Sequence, residues 1–161
     1  MSDATTKITG ASTPAGWELH IERVFDAPRA LVFEMWSKRE HLERWWKPTG
    51  FTLPFCDMDF RPGGKWNFIF RGYGMEHRCD SVYREIIVPE RIVFVGTVTP
   101  FPGEVHTTLT FSEQDGKTLL TVHQIHTVEI PSTKDAQIGW TQTLDNLEAL
   151  LAEKQGASRK S

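Results

Sequence analysis

Residues 105–126 read VHTTLTFSEQDGKTLLTVHQIH, with Asp115-Gly116 between two runs of alternating character. A two-residue type I′ hairpin loop needs positive φ at both central positions, and this dipeptide tolerates it. The register follows. If Gln114 opposes Lys117, then Phe111 faces Leu120, Leu109 faces Val122, Thr107 faces Gln124 and Val105 faces His126. Successive side chains of a strand point to opposite faces. One face of the hairpin is therefore apolar nearly throughout, with Thr107, Gln124 and His126 on that same side toward the strand ends.

The two-residue period extends upstream. From Phe51 to about Ile125 it is punctuated by Pro62-Gly63-Gly64, Gly72-Tyr73-Gly74, Pro89-Glu90, Pro100-Phe101-Pro102-Gly103 and Asp115-Gly116, which predicts an antiparallel meander of about six strands. Trp66, Phe68 and Phe70 share one face of their strand; Lys65, Asn67 and Ile69 share the other. Trp17 to Phe25 alternates in the same way and predicts a first, half-buried strand. Between these two β regions the pattern is helical. Pro28 suits a first helical position, since the amide it lacks would be unpaired there, and a short helix runs to about Trp36. Ser37 and Glu40 have capping-box spacing and open a second short helix carrying Leu42, Trp45 and Trp46, which Lys47-Pro48-Thr49-Gly50 breaks. After Ile130-Pro131, Ser132 and Asp135 open a last helix in which Trp140, Leu144, Leu147 and Leu151 form one stripe. From Asp135 to Lys154 it spans about 30 Å, enough to cross a small sheet.

The chain has 161 residues, 39% hydrophobic and 24% charged, near globular averages, and a chain this long buries a core without disulfides. Residues 1–16 are small and polar and read as a flexible arm, 17–154 as one domain, and 155–161 as a flexible tail. The arm holds no apolar run, which argues against a signal or a membrane anchor, so a cytoplasmic location is expected. A net charge of −3 argues against nucleic acid or anionic lipid as partner. Cys56 and Cys79, the two cysteines, build neither a disulfide framework nor a thiolate zinc site.

The order strand, two short helices, meander, long amphipathic helix belongs to the α+β class. Specific residues narrow it: Asp26-Ala27-Pro28 with Trp36, Trp45-Trp46-Lys47-Pro48, Pro62-Gly63-Gly64, Pro89-Glu90-Arg91, and Gly139-Trp140 followed by Leu144-Asp145 and Leu147. Together, over roughly Trp17 to Lys154, these resemble the Hsp90-ATPase-activator-like branch of the START-like (SRPBCC) superfamily. Lys47 stands where that pattern usually has glycine. The resemblance implies a helix-grip fold, a curved antiparallel sheet of about six to seven strands whose long C-terminal helix encloses a cavity. It further implies that Trp66, Phe68, Leu109, Phe111, Val122, Trp140 and Leu144 line that cavity and that its occupant is a small hydrophobic molecule. The co-chaperones that name the family carry a further N-terminal domain, which leaves a chaperone partner doubtful here.

Polar groups facing such a cavity would orient a ligand, and the hairpin register nominates Thr107, Gln124 and His126. The plainer reading has Gln124 and His126 satisfying local partners near the strand ends. His126 is the one candidate acid or base for a cyclase- or hydrolase-type activity, so enzymatic function is open and no catalytic residue is assigned. His106, His123 and His126 invite a metal reading, but His123 and His126 point to opposite faces, and His106 with His123, expected to have no carboxylate or thiolate nearby, make a poor site. No metal and no cofactor are expected: Walker, GxSxG, HExxH and dinucleotide motifs are all missing from the sequence. Met75 to Asp80 reads as a solvated edge. A homodimer stays open, because sequence does not separate interface from core.

Overall fold

The computed structural model describes residues 7–13, 16–99, 103–128 and 133–160. Eight strands and three helices follow in the order β1 (Lys7–Thr13), β2 (Gly16–Phe25), α1 (Arg29–Ser37), α2 (Arg39–Trp45), β3 (Thr52–Met58), β4 (Lys65–Gly72), β5 (Met75–Ile87), β6 (Arg91–Thr99), β7 (Val105–Gln114), β8 (Lys117–His126) and α3 (Thr133–Lys160). The strands form one antiparallel sheet ordered β1-β2-β8-β7-β6-β5-β4-β3. It is a six-strand meander closed by β2 against β8, with the helices on one face. This is the α+β helix-grip architecture.

The hairpin at its centre has the register expected, Val105 to His126, Thr107 to Gln124, Leu109 to Val122 and Phe111 to Leu120. Asp115 and Gly116 take φ of 51° and 79°, as a type I′ loop requires. Tyr73-Gly74 repeats the device between β4 and β5 with φ of 54° and 72°. The inner face follows by parity: Leu19, Ile21 and Phe25 from β2, Leu120 and Val122 from β8, Leu109 and Phe111 from β7, Ile92 and Phe94 from β6, all buried. Each such side chain contributes about 1.5–3 kcal/mol. Leu144, Leu147 and Leu151 cover that face from α3, joined by Leu150, while Trp140 is partly buried.

Several boundaries differ from expectation. The supposed arm holds β1, paired with β2 from Lys7 opposite Glu22 to Thr13 opposite Gly16. The edge of β2 supplies backbone partners that a polar segment takes up without a core of its own, and Ile8 alone of its described side chains packs against the core. That strand brings the sheet to eight. At the other end α3 continues through Lys160, past the expected tail boundary. Pro28 is the N-cap of α1, one residue before the position assigned to it. The Ser37 capping box does not form: Lys38 caps α2 without a side-chain bond, and the Ser37 hydroxyl donates to the Glu34 carbonyl at 3.1 Å, closing α1 instead. The box proposed at Ser132 lies outside the described residues. Of Met75 to Asp80, read as a solvated edge, Met75 to His77 pair with β4 alone and leave their other side open, whereas Arg78 to Asp80 lie between β4 and β6; Arg71–Glu76 and Arg78–Asp80 pairs occupy the solvent face.

A feature with no counterpart in the sequence reading ties helix to sheet. Arg23 has inward parity on β2 and is 1% exposed, and its guanidinium reaches Asp145 at 2.7 Å and Glu148 at 3.1 Å on α3. The same group lies 5.3 Å from the Phe25 ring centre. One cation thus fixes both the height and the rotation of α3 over β2.

Candidate functional site

Between α3 and the far half of the sheet, aromatic rings pack against one another. Trp46 follows the last residue of α2 and turns inward, with ring centres 5.2 Å from Trp66, 5.7 Å from Phe68 and 5.5 Å from Trp140. Trp66 meets Phe68 at 5.0 Å and Phe94 at 4.9 Å, and lies parallel to Tyr83 at 5.8 Å. Edge-to-face and offset contacts of this kind each add about 0.5–1.5 kcal/mol beyond area burial. The loop after α2 is held onto α3: Asn146 Nδ2 donates to the Lys47 carbonyl, and the Thr49 amide donates to Gln142 Oε1. Lys47, the departure from the family glycine, serves α3 through its backbone oxygen.

Of the ten residues expected at the site, Trp66, Phe68, Thr107, Leu109, Phe111, Val122, Gln124 and Leu144 are buried, and Trp140 and His126 are half-buried. Three of them form a polar ladder across the interior. Trp140 Nε1 donates to Gln124 Oε1 at 3.2 Å, and Gln124 Nε2 donates to Thr107 Oγ1 at 3.1 Å. The ladder joins the helix to two neighbouring strands and satisfies Gln124 locally, which is the plainer of the two roles open to it. Phe111 packs against α1, contacting Phe33 at 5.1 Å and Trp36 at 6.3 Å.

His126 stands beyond the ladder with Nε2 buried and without a hydrogen-bond partner among the described residues. Burial lowers its imidazole from the ordinary 6.5, and no charged neighbour contributes to the shift. The neutral form is therefore the native one. The unfolded chain takes up this proton first, so stability tied to His126 is complete above the ordinary histidine value and is lost as pH falls through it toward the lower native value. We expect the melting temperature to drop between about pH 7 and pH 5 and His126→Phe to flatten part of that slope; an unchanged slope would place His126 in solvent.

The other histidines do not converge. On the outer face His123 reaches Glu18 at 3.5 Å while His106 reaches Glu104 at 3.4 Å, so each has a carboxylate nearby, contrary to the expectation that neither does. Among the described residues no group of three metal-ligating side chains assembles. Burial pushes the Cys79 thiol up to about 12 and the Cys56 thiol up to about 11, which keeps both protonated and unreactive.

What the sequence reading missed is a second set of buried polar atoms. Trp36 Nε1, Trp46 Nε1, Trp66 Nε1 and the Tyr83 hydroxyl are all buried without a hydrogen-bond partner among the described residues. Trp66 leans toward the Cys56 sulfur and favours its thiolate slightly, but sulfur is a weak acceptor and the contact falls short of a hydrogen bond. Sequence could place these rings inside; only the fold shows where their polar edges end.

Residues 26–152 match the family of activator of Hsp90 ATPase homolog 1-like proteins. No curated protein matches the chain. Among solved structures, one from Chromobacterium violaceum is similar over 86% of this chain and 98% of its own, at 26% identity and a TM-score of 0.77. An uncharacterized protein from Rhizobium leguminosarum is similar over 92% and 99%, at 26% identity and a TM-score of 0.73. A Rhodobacter sphaeroides protein shares the fold over 94% and 99%, at 19% identity and a TM-score of 0.78. No helix among the described residues is long and apolar enough to cross a membrane. The family match begins just before α1 and ends in the last buried turn of α3, and this chain belongs to the activator of Hsp90 ATPase homolog 1-like family.

Proposed function

We propose that the protein binds or carries a small, mainly apolar molecule between the sheet and α3. The observation that supports this most is the meeting of an aromatic wall, Trp46, Trp66, Phe68 and Trp140, with the polar ladder Thr107–Gln124–Trp140. Pockets for small molecules combine such an apolar lining with a few placed polar groups. The ligand would gain about 25 cal/mol for each Å² of apolar surface removed from water, and Gln124 and His126 would set its orientation. An acid–base role for His126 has less support, since its shift comes from burial with no carboxylate behind it. A chaperone-directed role rests on the family's name alone.

The test is titration of the full chain with lipid and aromatic libraries, read by tryptophan emission, melting temperature and native mass spectrometry. A binder quenches or shifts emission from the wall tryptophans, raises the melting temperature as ligand exceeds Kd and leaves a one-to-one adduct. Libraries that leave all three signals unchanged would remove the carrier reading.

A further inference from the structure

The unpaired polar atoms of the aromatic wall are alike in kind. An indole N–H can only donate, and the Tyr83 hydroxyl, held protonated by burial well above the ordinary tyrosine range, has a hydrogen to give. Trp66 and Tyr83 are each 1% exposed and Trp46 is 6% exposed. Their rings form a single group, Trp46 against Trp66 at 5.2 Å and Trp66 parallel to Tyr83 at 5.8 Å. A buried donor without a partner forfeits its hydration with no return. Water can supply such partners, yet a site lacking only acceptors is also complementary to a ligand that brings them.

Charge narrows the ligand further. Arg23, the buried cation, is engaged with Asp145 and Glu148. The charges that act on neighbouring Cys56 are Glu43, Arg39 and Asp57, of both signs, and all three side chains are exposed. Among the described residues a buried carboxylate here would lack a dedicated counter-ion and would bind poorly for that reason, whereas a ketone or lactone oxygen accepts two hydrogen bonds and carries no net charge. A surface recess of about 380 Å³ lies close by, lined by Lys38, Arg39, Glu40, Glu43 and Met58, and Met58 pairs across the strands with Trp66.

Resting on the interior-binding reading above, we propose that the ligand is a neutral, ring-containing carbonyl compound whose oxygen accepts two hydrogen bonds, from the Trp66 indole N–H and the Tyr83 hydroxyl. Naphthyl methyl ketone, ethylnaphthalene and naphthoate share a skeleton and differ in this one respect. Calorimetric titration of the full chain with each, at neutral pH, separates the cases. The ketone is expected to bind about tenfold more tightly than the hydrocarbon, the worth of one to two net hydrogen bonds, and more tightly than the carboxylate. Tyr83→Phe and, separately, Trp66→Phe remove a donor and keep a ring, so each lowers the ratio of ketone to hydrocarbon affinity measured within that variant; near-ultraviolet dichroism checks that the folds are retained. Equal affinity for ketone and hydrocarbon overturns the carbonyl assignment and leaves interior binding standing, with water as the donors' partner. Preference for the carboxylate overturns neutrality. Silence from all three up to their solubility removes the binding reading and this inference together.

Discussion

The double variant Asp145→Ala/Glu148→Ala is expected to lose about 3 kcal/mol of stability. Arg23 stays where parity on β2 puts it, 1% exposed, but its carboxylate partners at 2.7 and 3.1 Å are gone. A desolvated cation without compensation is the costly case, and breaking such a pair from one side typically costs 3–5 kcal/mol. The low end applies because Asp145 is 60% exposed and water can reach the vacated place. Alanine does not harm the helix itself, being the best helix former. Arg23→Met supplies the contrast: it removes the charge and keeps an unbranched apolar chain, and the two carboxylates left behind are solvated. Its cost should stay within about 1 kcal/mol, since apolar replacement of a buried ion pair is often neutral or stabilising. Urea denaturation of the three proteins gives the order. A double alanine variant no weaker than Arg23→Met would show that the guanidinium does not hold α3 in place.

Trp45→Ala should cost about 3–5 kcal/mol, the range for deleting a buried aromatic. Trp45 is fully buried, its Nε1 donates to the Met35 carbonyl at 3.1 Å, and its ring stands edge-on to Trp36 at 4.6 Å and to Trp46 at 5.4 Å. Truncation therefore opens a cavity, strands a carbonyl and takes away the support behind Trp46. Trp45→Phe keeps much of the volume and loses the hydrogen bond, so about 1–2 kcal/mol is expected. The two midpoints in urea decide between packing and hydrogen bonding as the larger contribution; equal losses would make the Met35 contact dominant. Because Trp46 leans on Trp45, the alanine variant should also weaken ligand binding more than its neighbour Trp36 ring alone could compensate.

The parts of this molecule that were legible in sequence are those governed by local rules. Asp115-Gly116 announces a turn because few residue pairs accept positive φ twice in succession, and from that one turn the register of Thr107, Gln124 and His126 follows by counting. The stripe Leu144, Leu147, Leu151 is legible because helical period and burial coincide. What escaped depends on distant partners. Arg23 interrupts an inward-facing pattern, and its justification lies 122 and 125 residues away on α3. Lys7 to Thr13 has no amphipathic signal, since an edge strand is held chiefly by backbone bonds to its neighbour. Ser37 with Glu40 satisfies a helix-start spacing, yet the same hydroxyl closes the helix before it. The candidate site is split in the same way. Parity placed Trp66 and Phe68 inside, but the unpaired indole edges and the Tyr83 hydroxyl depend on ring orientation, which alternation of residue types does not encode.

Interior binding requires a guest molecule to reach the rings between α3 and the sheet. Proton–nitrogen correlation spectra resolve the indole N–H of each of the six tryptophans, and titration with a ligand found by the fluorescence screen reports on each one separately. Binding in the interior moves the Trp46, Trp66 and Trp140 signals and leaves Trp45, already bonded to Met35, close to its original position. If saturation instead shifts only amides of the solvent-facing side of the sheet, with all six indole signals unmoved, the ligand sits outside and interior binding is wrong.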